Sequence, residues 1–251
     1  MGYGAIFRRY ELKYLMNGDQ SPLVLDSLKG HMIPDKFAHS TIRNVYFDTP
    51  NYLLARESIA RPMFKEKLRV RSYGRPSDKD DIFVELKKKY DSVVYKRRLA
   101  MPLKDAMGWL CKNGECPKSQ IGREIDYVKV RYPDIGPAMF LSYDRDAYRS
   151  PEDGDLRITI DTNILARTDD VDLSSDIGGH SVLPEGYTLM EIKTMYGYPG
   201  WLTSLLSEAG LYKSRFSKYG NAYKEMILGR MPEEFYCIPG GETTVSQEGL
   251  A

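Results

Sequence analysis

KEKLRVRSYG, residues 65–74, carries a positive charge at every second position. Alternate side chains of a β-strand point to opposite faces, so the pattern predicts a strand with Lys65, Lys67, Arg69 and Arg71 along one face. Like charges about 7 Å apart on one face repel each other. A folded protein that keeps such a row needs a physical reason for it.

The same alternation recurs in other predicted strands, and three of them contain the pattern E-x-K. The residues that share a polar face in this way are Glu11, Lys13, Glu85, Lys87, Lys96, Arg98, Arg157, Thr159, Asp161, Glu191 and Lys193. The opposite faces are apolar, as at Ile82, Val84 and Leu86 or at Ile158 and Ile160. Each predicted strand therefore has one face suited to a core and one that is strongly charged.

About eight such strands, mostly joined by short turns, predict an α+β fold built on a closed eight-stranded antiparallel β-barrel with helices packed outside. Residues 102–132 carry helical spacing and form an insertion between strands. The chain contains no repeat and no Pro/Ser-rich linker. We therefore predict one domain, residues 1–230, followed by a polar tail, residues 231–251, without fixed structure.

The charged faces have two possible environments. In many antiparallel sheets the polar face simply contacts water. Here these faces are almost entirely Lys, Arg and Glu, whereas solvated faces usually include Thr, Ser and Gln. If the barrel closes with these faces inward, roughly ten cations meet in a lumen wide enough for side chains or one slim ligand. Unpaired cations there would cost several kcal/mol each, so we expect a strongly anionic ligand among them.

A polyphosphate chain suits such a lumen, because it is slim and carries negative charge along its whole length. Arg and Lys are the usual phosphate ligands. A few glutamates would then hold a divalent cation through oxygen ligands.

The composition limits other functions. The chain has 251 residues and a formal net charge of +1, which argues against a nucleic-acid binder. No apolar run is long enough for a membrane span, and the N-terminus lacks the apolar segment of a signal peptide. Its three Cys and three His residues form no metal-binding or catalytic pattern. Reduced thiols fit the cytoplasmic location that we predict.

Several stretches together resemble one known family. KLRVRSYG, FVELKKK, YDRDAYR, LRITIDT and LMEIKT, followed by KSRFSKYG, resemble the triphosphate tunnel enzymes, and in particular the polyphosphate polymerase (VTC) domain. The resemblance covers about residues 5–228. A single ELK tripeptide is weak evidence, but the ordered set is specific, and SRFSKYG separates this branch from the tunnel triphosphatases.

The resemblance implies a cationic tunnel in which the γ-phosphate of ATP is added to polyphosphate, with ADP released and Mn²⁺ or Mg²⁺ bound. By matching motif, the phosphate-binding residues would be Lys13, Arg69, Arg71, Lys87, Lys96, Arg145, Arg157, Ser217 and Lys218. Glu191 matches the metal-binding glutamate of the family, and Glu11 and Glu85 would pair with cations or with the metal. Alternation adds Arg98 and Lys193 to the charged surface.

One departure from the wider superfamily bears on the reaction. Classical tunnel triphosphatases carry Glu-x-Glu-x-Lys in the first strand, where this chain has Arg9-x-Glu11-x-Lys13. The change removes a metal ligand and adds a phosphate ligand, which favours holding a long anion over hydrolysis. Two other functions stay open: hydrolysis of a triphosphate or nucleoside triphosphate, and binding of polyphosphate or nucleotide without catalysis. Protein partners are not predicted by any motif.

Overall fold

The computed structural model describes residues 10–60, 62–91, 93–112, 114–152 and 155–229. Its strands are β1 (Tyr10–Met16), β2 (Ile33–Asp48), β3 (Phe64–Tyr73), β4 (Asp81–Tyr90), β5 (Val93–Pro102), β6 (Gly136–Arg149), β7 (Arg157–Arg167), β8 (His180–Ser181), β9 (Thr188–Thr194) and β10 (Lys213–Ser214). Its helices are α1 (Gln20–His31), α2 (Leu53–Ala60), α3 (Leu103–Cys111), α4 (Gln120–Arg131), α5 (Gly200–Glu208) and α6 (Lys218–Met226). Arg9 and the predicted tail, residues 231–251, lie outside the described residues, and the predicted domain boundary stays a prediction.

The described strands form one antiparallel sheet of ten strands. Its order is β10-β1-β9-β7-β6-β2-β3-β4-β5, with β8 added beside β7. Within the described part of the chain, β5 pairs only with β4, and β10 pairs only with β1. The antiparallel sheet with helices is as predicted, but the prediction of a closed eight-stranded barrel is not confirmed, because the sheet is open.

The sheet nevertheless curls far enough to bring distant strands together. Lys87 on β4 lies 3.8 Å from Glu11 on β1, measured from Nζ to Oε2, although five strands separate β4 from β1 in the sheet. Backbone pairing does not close the gap, because β10 occupies the outer edge of β1. Side-chain charges and not a hydrogen-bonded ladder therefore bridge the two halves of the sheet.

The convex face of the sheet is apolar and carries the outer helices. Ile82, Val84 and Leu86 pack with Trp109 of α3 and Ile125 of α4 in one buried cluster. Each of these side chains is at most 1% exposed. The apolar face predicted for this strand is therefore confirmed, and the inserted segment 102–132 does form helices.

A second cluster covers the other half of the convex face. Ile158 and Ile160 of β7 and Ile192 of β9 pack there with Leu28 of α1 and Leu202 of α5. Because the apolar residues alternate with charged ones along each strand, burying them outside directs the charged side chains to the concave face.

Helix α6 covers part of the concave face. Its residues Tyr219 and Tyr223 pack with Tyr46, Tyr143 and Leu189 in a third buried cluster. The rings of Tyr219 and Tyr46 are stacked, with 4.3 Å between their centroids. The concave face is therefore charged over one part and apolar where α6 covers it.

A single carboxylate anchors α6 and α2. The Tyr219 hydroxyl donates to Asp48 Oδ2 at 2.6 Å. Asp48 also accepts the backbone N–H groups of Leu54 and Ala55, each at 2.9 Å. These amides belong to the first turn of α2, where no intrahelical acceptor is available. Among the described residues, every helix is too short or too polar to cross a bilayer.

Replacing Tyr219 with Phe tests this anchor. The stacked ring is kept and one buried hydrogen bond is lost, so we expect unfolding to become easier by about 1 kcal/mol. For a domain of this size that lowers the melting temperature by about 2–4 °C, measured by circular dichroism. Tyr127→Phe, at a tyrosine that is 60% exposed, is the matched control and should change nothing. Equal stability of the Tyr219 and Tyr127 variants would contradict the anchoring role.

Candidate active site

The concave face encloses a cavity of about 390 Å³. Nine cationic side chains and three carboxylates line it, so the cavity carries a large excess of positive charge. The lining residues are Glu11, Lys13, Tyr46, Lys67, Arg69, Arg71, Glu85, Lys87, Lys96, Tyr143, Arg145, Glu191, Lys193, Ser217, Lys218 and Tyr219. They come from seven strands and from the start of α6.

Glu85 is surrounded by four cations. Its Oε1 accepts from Lys96 Nζ at 2.8 Å and from Arg98 Nε at 2.7 Å. Its Oε2 accepts from Nε and Nη2 of Arg69 at 2.9 and 2.6 Å, and Arg71 Nε lies 3.9 Å away. Burial would raise the pKa of Glu85, but Arg69, Arg71 and Lys96 lower it well below its ordinary value. Glu85 is therefore an anion that fixes the positions of its cationic neighbours.

A second cluster lies deeper, around Asp161 and Glu191. Arg145 donates to both oxygens of Asp161, at 2.6 and 2.7 Å, and to Glu191 Oε2 at 3.3 Å. Lys218 Nζ lies 2.5 Å from Asp161 Oδ2 and 2.9 Å from Glu191 Oε1. Asp161 is fully buried. Two carboxylates thus hold one arginine and one lysine at fixed positions before any ligand binds.

Glu191 has two further cations beside it. Lys13 Nζ lies 3.5 Å from its Oε1, and Lys193 Nζ lies 3.4 Å from its Oε2. Burial would raise the pKa of Glu191, but Lys218, Lys13 and Lys193 lower it well below the ordinary value. Glu191 therefore stays ionised across the physiological pH range.

Lys67 differs from the other lining cations in its partners. Its Nζ donates to Ser217 Oγ at 2.9 Å, and no carboxylate of the described residues lies within 4 Å of it. Ser217 is the N-cap residue of α6, and its Oγ also accepts the Gly220 N–H. Burial lowers the pKa of Lys67 well below its ordinary value, and Lys13 and Lys87 lower it further. Among the lining cations, Lys67 is therefore the one whose charge an anionic ligand would stabilise most.

The side chains at the mouth of the cavity also have pKa values that differ from the ordinary ones. Burial lowers the pKa of Lys96 to about 8, against the opposing effect of Glu85. Burial also lowers the pKa of Lys87, although Glu11 opposes it. For Glu11, burial is outweighed by Lys87 and Lys13, and the pKa falls to about 2. Lys96 is thus only partly protonated at weakly alkaline pH before a ligand binds.

Tyrosines and an asparagine position the two arginines of β3. Arg69 Nη1 donates to the Tyr46 hydroxyl at 2.9 Å. Arg71 donates from Nε to Asn44 Oδ1 at 2.8 Å and from Nη2 to the Tyr143 hydroxyl at 3.0 Å. Each guanidinium is therefore held by neutral groups as well as by Glu85, which leaves part of its charge available to a ligand.

Most of the residues singled out from the sequence meet in this cavity. Those that line it are Glu11, Lys13, Arg69, Arg71, Glu85, Lys87, Lys96, Arg145, Glu191, Lys193, Ser217 and Lys218. Arg98 and Arg157 are outside this set. Arg98 reaches the site through Glu85, and its guanidinium lies over the Phe83 ring at 4.4 Å. Arg157 forms an ion pair with Asp35 of β2, with 3.1 Å between Nη2 and Oδ2.

Several lining or contacting residues were not assigned from the sequence. Lys67 belongs to the charged row of β3, so its alternation alone was a sufficient signal. Asp161 shares a face with Arg157, but the sequence does not reveal that Asp161 binds Arg145 and Lys218. Tyr46 and Tyr143 carry no local signal, because aromatic residues are common in strands for packing reasons alone.

The donor set limits how a divalent cation could bind. In the described part of the chain, no group of three His, Cys, Asp or Glu side chains could hold a metal ion. Glu191 is already surrounded by four cations, so it does not form a metal site by itself. Mg²⁺ is commonly held by one or two carboxylates together with substrate phosphates. The residues therefore fit a metal that enters together with a phosphate ligand.

Comparison with known proteins gives a family match over most of the chain. A family model described as the VTC domain matches residues 8–227. A curated relative, subunit 4 of the vacuolar transporter chaperone complex of Trypanosoma brucei brucei (strain 927/4 GUTat10.1), is 25% identical over 214 residues. The match covers 67% of this chain and 27% of the relative. The chain thus spans about a quarter of the length of that relative.

Solved structures share the fold at low sequence identity. HpAC1 from Hippeastrum, a candidate adenylyl cyclase described as having a dominant triphosphatase activity, aligns with a TM-score of 0.54 and 17% identity, covering 87% of this chain and 96% of its own. A candidate adenylate cyclase from Bacillus halodurans aligns with a TM-score of 0.52 and 14% identity, covering 82% and 92%. At these identities the likeness concerns the fold alone.

Replacing Lys67 with Met should have opposite effects on stability and on anion binding. The pKa of Lys67 is lower in the folded protein than its ordinary value of 10.5 in the unfolded chain. At pH values between these two pKa values the unfolded chain binds more protons at Lys67 than the folded protein does. The stability of the wild-type protein therefore rises with pH through that range. Met cannot take a proton. We therefore expect the variant to melt higher at pH 7, by about 2–4 °C for each kcal/mol gained, and the difference to shrink towards pH 11.

The same variant should gain less thermal stability from added tripolyphosphate than the wild type, because one cation is missing from the cavity. Lys29→Met is the matched control, since Lys29 is 76% exposed and far from charge crowding. A Lys67 variant that is less stable than the wild type at pH 7 would show that the amine is not electrostatically strained.

Proposed function

The chain belongs to the VTC domain family, and on that basis we propose that it is an ATP-dependent polyphosphate polymerase. It would transfer the γ-phosphate of ATP to a growing polyphosphate chain and release ADP. ATP and polyphosphate are then its substrates, without a role for nucleic acid. A cytoplasmic location stays a prediction.

One observation carries the proposal: nine cationic side chains converge on one cavity that is lined by three carboxylates, and Asp161 behind the lining adds a fourth. Such an excess is unfavourable in a partly buried site unless an anion joins it. Polyphosphate and the triphosphate of ATP present many anionic oxygens in a line, whereas a compact anion would meet only a few of the cations. The extended arrangement from Lys96 to Lys218 therefore favours a linear polyanion.

The chemical step needs positioning and neutralisation more than proton transfer. Phosphoryl transfer proceeds through a loose transition state with charge spread over the phosphate oxygens. Arg145 and Lys218, both held by Asp161, supply fixed positive charge where that charge develops. The nucleophile is a terminal phosphate oxygen and is already anionic. The cavity lining, as described, contains no His or Cys, and none is required.

Mn²⁺ or Mg²⁺ would enter with the triphosphate and take Glu191 as one oxygen ligand. The ion supplies Lewis-acid neutralisation of phosphate oxygens when it is bound. Lys13, Lys193 and Lys218 would exchange part of their contact with Glu191 for contact with phosphate, so the local charge balance is kept.

A second candidate function is hydrolysis of a triphosphate. One observation favours it: burial and neighbouring cations lower the pKa of Lys67, which makes its amine a better general base for an attacking water than an ordinary lysine. Binding without catalysis is the third candidate. It accounts for the cations and for the carboxylates that hold them in place, but it gives Glu191 no role as a metal ligand.

One assay separates the three functions. Purified protein is incubated with ATP and Mn²⁺, and ADP, orthophosphate and long polyphosphate on a gel are measured. Long chains with ADP support polymerase activity, orthophosphate without chains supports a hydrolase, and ATP binding without products supports a binding module.

The Arg69→Lys variant tests the site in the same assay. Lys keeps the charge but loses the two-donor fork that bonds Glu85 and Tyr46. We expect activity to fall about tenfold or more, as for loss of one positioned donor. Arg75→Lys, at an arginine that is 59% exposed, is the control and should keep full activity. Full activity of the Arg69 variant would show that Arg69 is not part of the catalytic site.

The Glu191→Gln variant separates metal use from anion binding. Removing one negative charge among four cations should strengthen metal-free binding of tripolyphosphate, measured by calorimetry. The same change replaces the anionic carboxylate ligand of the metal with a weaker, neutral amide oxygen, so Mn²⁺-dependent turnover should fall about 100-fold. A thermal melt checks that the variant is folded. Weaker metal-free binding in the folded variant would contradict the assigned charge role.

A further inference from the structure

The mouth of the cavity can be identified from the exposure of its side chains. Lys87 and Lys96 are 45% and 46% exposed, whereas Glu85 and Lys218 are 2% and 8% exposed. Glu11 contacts Lys87 and therefore lies at the same level. A chain longer than the cavity must pass this level to reach solvent.

A row of cations continues from the mouth across neighbouring strands. Lys193 is directly opposite Glu11 in the pairing of β9 with β1. Arg157 is opposite Lys193 in the pairing of β7 with β9, and Arg149 is opposite Arg157 in the pairing of β6 with β7. Directly opposed residues of antiparallel strands project to the same face, about 5 Å apart. Arg157 and Arg149 therefore extend the charged surface by about 10 Å beyond Lys193.

The two arginines differ in their partners. Arg157 is paired with Asp35. Arg149 is half-buried, and in the described ranges of the chain no carboxylate lies within 4 Å of it. Lys193 contacts Glu191 and Arg157 contacts Asp35, so Arg149 is the cation of this row that lacks a carboxylate partner among the described residues, and its neighbours in the row repel it. An anion that lies along the row relieves that repulsion.

We propose that Arg149, together with Arg157, forms an external subsite for the part of a polyphosphate chain that extends out of the cavity. This inference rests on the proposed function, because it takes the same linear polyanion as ligand. A triphosphate held inside the cavity does not reach Arg149. The subsite therefore acts on long chains only, and it would keep the product bound between successive additions.

The test compares two chain lengths on the intact protein. Binding of tripolyphosphate and of a long-chain polyphosphate fraction is measured by calorimetry for the wild type, Arg149→Gln and Arg149→Lys. We expect Arg149→Gln to weaken binding of the long chain about two- to fivefold, the usual effect of one partly exposed ion contact, and to leave tripolyphosphate unchanged. Arg149→Lys should restore most of the loss, because it keeps the charge.

Arg75→Gln is the control, since Arg75 is exposed and pairs with Asp176 away from the mouth. It should bind both chain lengths as the wild type does. A loss in Arg149→Gln that is equal for both lengths, or no loss at all, overturns the subsite. If the protein makes no polyphosphate but the length-dependent loss is observed, the subsite is supported and only the proposed reaction is overturned.

Discussion

Three buried carboxylates, Glu85, Asp161 and Glu191, make the site possible. Without them the cations of the concave face would repel each other in a poorly solvated cavity. They hold the cations in place but neutralise only part of the positive charge, so the cavity keeps a net positive charge. The side chains of such a site are ordered before the ligand binds, which reduces the entropic cost of binding.

Because the sheet is open, backbone pairing does not by itself enclose the cavity. In a closed barrel a continuous hydrogen-bonded ladder fixes the lumen. Here β10 takes the free edge of β1, and the Glu11–Lys87 contact and helix α6 bring the two halves together instead. The shape of the cavity therefore depends on the same charges that bind the ligand.

The function of such a cavity depends on which nucleophile reaches the phosphate. The cations serve transfer to phosphate and transfer to water equally well, because both pass through the same charge distribution. Exclusion of water and retention of the product chain would favour polymerisation. The deep, largely buried position of Arg145 and Lys218 and the cationic row at the mouth are consistent with both requirements.

Strand alternation is a local property with a period of two, so the sequence by itself determined which side chains share a face. That was sufficient to predict the antiparallel sheet, its apolar convex face and the charged strand residues of the cavity such as Lys13, Arg69 and Lys87, whereas Arg145, Ser217 and Lys218 were assigned through the family resemblance. Only the tertiary structure decided how the sheet ends, since the choice of neighbour at an edge depends on curvature and on distant segments such as β10. It also decided that Asp35 holds Arg157 outside the cavity and that Asp161 anchors Lys218. A long side chain finds its partner in three dimensions, and no local pattern records that partner.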